Sequence, residues 1–224
     1  MDESTGQYTG EVTAGGPAQT RELKGLTITK VSVGGPYDNN AYLLRSTATG
    51  DALLIDAAND ADRLLEVIGD APVRTIITTH QHPDHWQALA EVAEATGART
   101  VAHPADAGGL PIPVTDPVED GGTVTVGDLT LEAIHLVGHT PGSIALLYQD
   151  PDGHSHLFTG DCLFPGGPGN TQKDPARFAS LLDGLEEKVF GRLPDDTWVY
   201  PGHGKDTTLG AERPHLAEWR QRGW

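Results

Sequence analysis

The stretch that most limits what this chain can fold into is TTHQHPDHWQAL, residues 78–89. His80, His82, Asp84 and His85 stand together at the end of VRTIITT (73–79), a continuous β-rich run that reads as a buried strand. Loops at strand ends on a rigid scaffold are where functional residues concentrate. His80 and His82 are two apart at the end of extended chain, so their side chains point to one side. Asp84 and His85 are consecutive and diverge, in what Pro83 predicts to be the first turn of a helix. One tetrahedral ion does not easily take all four, whereas two ions can share them as two pairs, and imidazole with carboxylate suits borderline divalent metals. A carboxylate at a helix start also stays ionised readily.

Two pairs are too few to hold two ions, so further ligands must come from elsewhere. VGHTPGS (137–143), FTGDCLF (158–164) and YPGHGKDTT (200–208) each follow or precede a β-like run. Each sets one candidate, His139, Asp161 or His203, beside a glycine, where close approach is cheap.

Around these stretches the chain is punctuated by 28 glycines and 16 prolines, which predicts many turns and short strands. Strands are expected at 26–33, 41–45, 52–56, 73–79, 99–103, 123–126, 129–135, 143–148, 156–159 and 198–200. Helices are expected at 62–68, from 83 to 97, and at 175–190, the last with Phe178, Leu181, Leu182, Leu185 and Val189 as its apolar stripe. A short helix closes the chain. Residues 1–25 are polar and read as an arm carrying one edge strand at 10–14. Residues 26–224 read as a single domain in which two sheets pack together with helices outside.

The formal net charge of −17 repels phosphate backbones and anionic membrane surfaces, so neither nucleic acid nor membrane is an expected partner. Cys162 is the sole cysteine, which excludes an intramolecular disulfide. The first 16 residues, MDESTGQYTGEVTAGG, have no basic start and no apolar stretch, and no apolar run approaches the ~20 residues of a membrane helix. A cytoplasmic protein acting on a small molecule is expected. Oligomeric state leaves no signature.

His80-x-His82-x-Asp84-His85, followed in order by Gly138-His139, Gly160-Asp161 and Gly202-His203, resembles the metallo-β-lactamase superfamily over about residues 26–219. Within it the pattern is similar to the glyoxalase-II-like hydrolases. The resemblance implies an α/β (α+β) fold, an αββα sandwich of two mixed β-sheets flanked by helices, with the site at one edge. It implies that His80, His82 and His139 hold one metal ion and that Asp84, His85 and His203 hold a second. Asp161 would bridge them, and Asp56 would orient ligand imidazoles from behind. The implied cofactor is two divalent ions, zinc foremost, with iron or manganese as alternatives. His103, His135, His154, His156 and His215 match no motif and read as structural or solvent-facing.

The expected reaction is hydrolysis of a thioester or other small acyl ester by a hydroxide shared between ions ~3.5–4 Å apart. Asp161 bridges, and Asp84 relays a proton toward the leaving group. Asp161 stands where a common zinc β-lactamase would carry cysteine, which argues against antibiotic hydrolysis. Glutathione-handling relatives follow the bridging aspartate with a Gly-Arg element, but FPGGPGNTQKD (164–174) has Gly169-Asn170 there, with Lys173 the cation of the stretch. A different thiol carrier or a smaller ester is therefore open. The alternative is a persulfide dioxygenase using one iron, held by His80, His82 and Asp161 or His139. Loops 34–40 and 166–174 are expected to wall the pocket.

Overall fold

The computed structural model describes residues 8–35 and 37–223. The first residues of the arm, 1–7, and Pro36 in the expected wall loop lie outside the described residues.

One sheet runs in chain order: β1 (Gln19–Glu22), β2 (Leu26–Ser32), β3 (Asn40–Ser46), β4 (Ala52–Ile55), β5 (Val73–Ile77), β6 (Arg99–Ala102) and β7 (Asp116–Pro117). Its first four strands are antiparallel, and β4 to β7 are parallel. The second sheet comprises β8 (Thr123–Val126), β9 (Leu129–His135), β10 (Ile144–Gln149) and β11 (Ser155–Gly160). The short pair β12 (Leu163–Phe164) and β13 (Gly167–Pro168) follows in the chain, and β14 (Trp198–Pro201) and β15 (Thr207–Thr208) then complete the second sheet. Here β11 and β14 are parallel.

Residues alternate between two cores because side chains on a strand alternate between faces. Leu53 and Ile55 on β4 and Ile144, Leu146 and Tyr148 on β10 face the core between the sheets. Ala52 and Leu54 face the opposite way, against Leu64 and Ile68 of α1 (Ala61–Ile68) and Leu89 and Val92 of α2 (Leu89–Thr96). Helix α3 (Pro104–Ala107) follows β6. Ala145 and Leu147 pack on Phe178, Leu181, Leu182 and Leu185 of α4 (Pro175–Leu185). Between α5 (Leu209–Glu212) and the chain end, Trp219 of α6 (Leu216–Arg222) completes that outer core. Two mixed sheets between helical layers are the sandwich expected from the resemblance. Among the described residues no helix is long and apolar enough to cross a membrane.

Three local readings need correction. The edge strand lies at Gln19–Glu22, paired to β2 with Gln19 opposite Lys30, and not at 10–14, where Gly10 takes φ 78° and Gly15, just beyond, takes φ 71°. The helix expected from 83 to 97 is split into a 3-10 turn, Pro83–His85, and α2. It breaks because the Gln87 and Ala88 N–H groups donate to Ala58 O and Ala57 O, tying the segment to the loop after β4. The helix expected to reach 190 is α-helical only to Leu185 and loosens into a π-turn, Glu186–Phe190.

Strand direction places the site. Parallel β4, β5 and β6 deliver Asp56, the 78–85 loop and the start of α3 to one edge, and parallel β11 and β14 deliver Asp161 and His203. Antiparallel β9 and β10 add the loop bearing His139.

Candidate metal centre

The structure brings all seven candidate ligands together. Three groups of ligand atoms form: His80, His82 and His139; Asp84, His85 and His203; and His80, His85 and Asp161, which joins the other two. His80 Nε2 lies 3.1 Å from His82 Nδ1 and 3.2 Å from His139 Nε2. His85 Nε2 lies 3.2 Å from His203 Nε2. Asp161 spans the clusters, with Oδ1 3.3 Å from His85 Nε2, and Oδ2 3.3 Å from His203 Nε2 and 3.6 Å from His139 Nε2.

The proton on each ring follows from its outer partner. Asp56, held at φ 57° just past β4, turns its carboxylate across the neighbouring strand end. Its Oδ1 accepts from the Thr79 amide, and its Oδ2 accepts from Thr79 Oγ1 and from His85 Nδ1, each at 2.8 Å. Because the Thr79 hydroxyl hydrogen goes to Asp56, Thr79 Oγ1 accepts from His80 Nδ1 at 3.1 Å. His139 Nδ1 donates to Asn170 O at 2.7 Å, and His203 Nδ1 to Tyr37 O at 3.0 Å. Four imidazoles therefore hold their Nδ1 protons outward and turn Nε2 inward, where each can bind a cation once it carries no proton. Ring nitrogens brought this close, without their protons, repel unless a cation lies between them. A tetrahedral ion with bonds near 2.0–2.1 Å sets its ligand atoms about 3.3 Å apart. Asp161 Oδ1 is buried without a hydrogen-bond partner, a cost that coordination would remove. The donor set fits two divalent ions.

The charges fit as well. Burial, helped by adjacent imidazoles, holds His80 well below the ordinary imidazole value, and burial lowers His82 and His139 too. Burial would also lower His85, but the carboxylates of Asp161 and Asp56 outweigh it and hold the ring well above its usual value. His203 opposes burial through hydrogen bonds with Asp161 and Asp84 and is pushed up to about 9. Burial alone would raise both carboxyls. Instead His85 and His203 hold Asp161 well below the usual range, and His203 and Asn39 do the same for Asp84.

Four residues missed in the sequence hold this centre together. Asp106, fully buried on α3, accepts from Gln81 N, Thr140 Oγ1 and Gly142 N, joining the His80–His82 loop to the His139 loop. Thr79 links Asp56 to His80, and Asn39 Nδ2 donates to Asp84 Oδ2 at 3.1 Å. Arg177 of α4 donates through Nε to Gly138 O at 2.8 Å and through Nη2 to His139 O. Lys173, the cation noticed in the 164–174 stretch, is exposed and lines neither cavity at the centre.

Those cavities meet at His82, His139 and Gln172. One, of about 660 Å³, opens over Asp84, Asp161 and His203, between Tyr37 and the Phe164–Asn170 side. The other, of about 560 Å³, runs along Val137, Pro141, Ala176 and Arg177. Both expected wall loops contribute. The five histidines outside the motifs lie elsewhere: His103 stacks on His135 at 3.8 Å, and buried His156 bonds Tyr200 Oη.

The family model of the metallo-beta-lactamase superfamily matches residues 34–203. A hydroxyacylglutathione hydrolase of Polaromonas sp. is 34% identical over 80% of this chain, and the match spans 66% of that longer relative. The crystal structure of ETHE1 from Myxococcus xanthus superposes with a TM-score of 0.72 at 28% identity, over 92% of this chain and 85% of that one. TTHA1623, solved in a di-iron-bound form, gives a TM-score of 0.67 at 33% identity, over 80% and 94% respectively.

Proposed function

This chain belongs to the metallo-beta-lactamase superfamily, and from that premise we propose that it is a metal-dependent hydrolase of thioesters or other small acyl esters, using two divalent ions. His80 Nε2, His82 Nδ1 and His139 Nε2 would hold the first; Asp84, His85 Nε2 and His203 Nε2 the second. Zinc suits these ligands best, with iron or manganese compatible. The observation that carries the reading is Asp161, which lies between the clusters with Oδ1 toward His85 and Oδ2 toward both His203 and His139, while Oδ1 has no hydrogen-bond partner. When bound, such a pair of ions supplies an activated water at neutral pH and polarises an acyl carbonyl.

The protein's own part is to orient and to move a proton. Asp56, Thr79, Asn170 O and Tyr37 O fix the ring tautomers, so the ligands need no rearrangement. The Asp84 carboxylate, kept ionised and lining the larger cavity, is the group placed to take a proton from water and pass it to the leaving group. Asn39 Nδ2, donating to Oδ2, keeps the carboxylate aimed. The larger cavity has room for a small acyl group, and the second, meeting it at His82 and His139, for the leaving thiol or alcohol. Asn170, where glutathione-handling relatives carry arginine, supports a leaving group other than glutathione. With 32 acidic against 15 basic residues, a small molecule is the partner proposed, not a polyanion.

The one-iron persulfide dioxygenase alternative uses His80, His82 and Asp161 or His139 and leaves Asp84, His85 and His203 without a task. Metal analysis of protein purified without added metal, with a thioester panel, tests the reading. Two ions per chain and thioester turnover are expected. One iron per chain, with oxygen uptake on persulfides, overturns it.

A further inference from the structure

The loop bearing His203 is gripped from behind by residues far from it in sequence. Lys30 on β2 is fully buried, and its ammonium has three donors and three acceptors: Gly10 O at 2.7 Å, Gly204 O at 2.7 Å and Asp206 Oδ1 at 2.6 Å. Asp206 Oδ2 accepts from Tyr8 Oη at 2.7 Å and from Trp198 Nε1 at 2.8 Å. Asn40 Nδ2 donates to Pro201 O and Gly204 O, each at 2.9 Å, and Tyr42 Oη to Pro201 O at 2.6 Å. Two of these partners, Tyr8 and Gly10, come from the arm, and with Lys30 they precede the family match that begins at residue 34.

Tyr8 is seated, not merely adjacent. Its ring meets Trp198 edge-on at 6.3 Å and lies 6.4 Å from Tyr200, while the Arg21 guanidinium lies 4.5 Å from the Tyr8 ring and 3.9 Å from Trp198. At Gly10 the approach is so close that an added Cβ would fall 2.6 Å from Asp206 Oδ2.

We propose that Tyr8, Gly10, Lys30 and Asp206 form a clamp that positions the loop 201–206, and through it His203, so that the arm sets the affinity of the Asp84, His85 and His203 cluster for its ion. These are positioning residues, and the inference rests on the two-ion reading above. A buried ion pair is seldom kept for stability alone, since apolar replacements of equal volume are often neutral or better. What the pair does here is direct two backbone carbonyls, Gly10 O and Gly204 O, to one point. Gly204 is the residue after the ligand, so a shift there is a shift of the imidazole.

The test is a Zn²⁺ titration of metal-free, full-length protein against a competing chelator, resolving both equivalents. Two variants are compared with wild type. Tyr8→Phe removes one hydrogen bond to Asp206, and Lys30→Met/Asp206→Asn removes both charges while keeping volume and an acceptor for Trp198. The second equivalent is expected to weaken about threefold in Tyr8→Phe and about tenfold in the double variant, the range of outer contacts to metal ligands. The first equivalent should stay within about twofold of wild type in both. A clamp that served only folding would weaken both equivalents together or neither, and either result overturns the proposal. If the double variant does not fold, Tyr8→Phe decides alone. Wild-type protein taking up a single equivalent overturns the two-ion reading and the clamp with it. Two equivalents in wild type with an unchanged second constant in the folded variants overturns the clamp alone.

Discussion

Asp56 Oδ2 accepts from His85 Nδ1 at 2.8 Å, and both side chains are buried. The same carboxylate holds Thr79, and Thr79 holds His80, so one acid orients a ligand in each cluster. Asp56→Asn keeps a side chain that tolerates the left-handed φ of 57° but loses the charge behind both rings. Metal affinity is expected to fall by about 10–100-fold, with hydrolytic activity falling alongside. Asp56→Ala adds backbone strain and should lose more. Metal content after dialysis at fixed free zinc checks both, and wild-type retention in Asp56→Asn would remove Asp56 from the design.

Gly202 is needed for space and not for backbone freedom. An added Cβ would fall 2.3 Å from Asp161 Oδ1 and 2.6 Å from His85 Cε1, while its φ is not in the left-handed region. Gly202→Ala is therefore expected to fold but to push Asp161 and His85 apart, dropping activity by about 100-fold or more because misplacement by an ångström costs that much. Far-ultraviolet circular dichroism with a rate measurement separates the two effects. An active Gly202→Ala protein would show that the carboxylate is free to move.

His80, His82, Asp84 and His85 can be read as candidates because they fall within six positions, and the remote His139, Asp161 and His203 because glycine stands beside each. Asp106 and Arg177 carried no such mark. An aspartate after His103-Pro104 and an arginine one turn into a helix look like ordinary cap and surface residues, and only the packing of α3 and α4 over the His139 loop gives them their work. Thr and Val near residue 12 have β propensity, yet the edge strand forms at Gln19–Glu22 because pairing with β2 is settled by tertiary register. The helix break at 86–88 was likewise invisible, since it depends on the carbonyls of Ala57 and Ala58 arriving from a distant loop.

Lys173 and Arg177, two cations on the 164–177 stretch, are expected to matter differently to the site. Lys173→Ala is expected to leave kcat and KM unchanged, because the side chain is exposed and away from both cavities. Arg177→Met removes two donors to the backbone of the His139 loop. Loss of charge-assisted bonds worth about 1.5–3 kcal/mol each should loosen that loop, lowering first-ion retention and kcat more than it raises KM. A variant whose KM rises while metal content holds would make Arg177 a substrate contact instead.

The two clusters should differ in their response to pH. Without metal, His203 is raised to about 9 and His85 is also raised, so at pH 7 both carry protons. An ion entering with Asp84 must displace them. His80, His82 and His139 are lowered, so their rings are already neutral at pH 7 and the first ion displaces almost nothing. Second-ion affinity should thus rise as pH goes from 7 to 9, by up to about tenfold per pH unit for each proton displaced, since one unit is about 1.36 kcal/mol. First-ion affinity should stay flat over that range. The stability of the metal-free fold runs the other way. A raised imidazole stabilises the fold fully below its unfolded value of about 6.5. For His203 that contribution is lost as pH climbs through about 9. Metal-free protein should therefore melt lower at pH 9.5 than at pH 6.5, and metal-loaded protein should lack this drop. Zinc calorimetry in two buffers of different protonation enthalpy counts the protons: near zero for the first equivalent and up to two for the second. Equal release by both equivalents would mean that Asp161 and Asp84 do not set the two clusters apart.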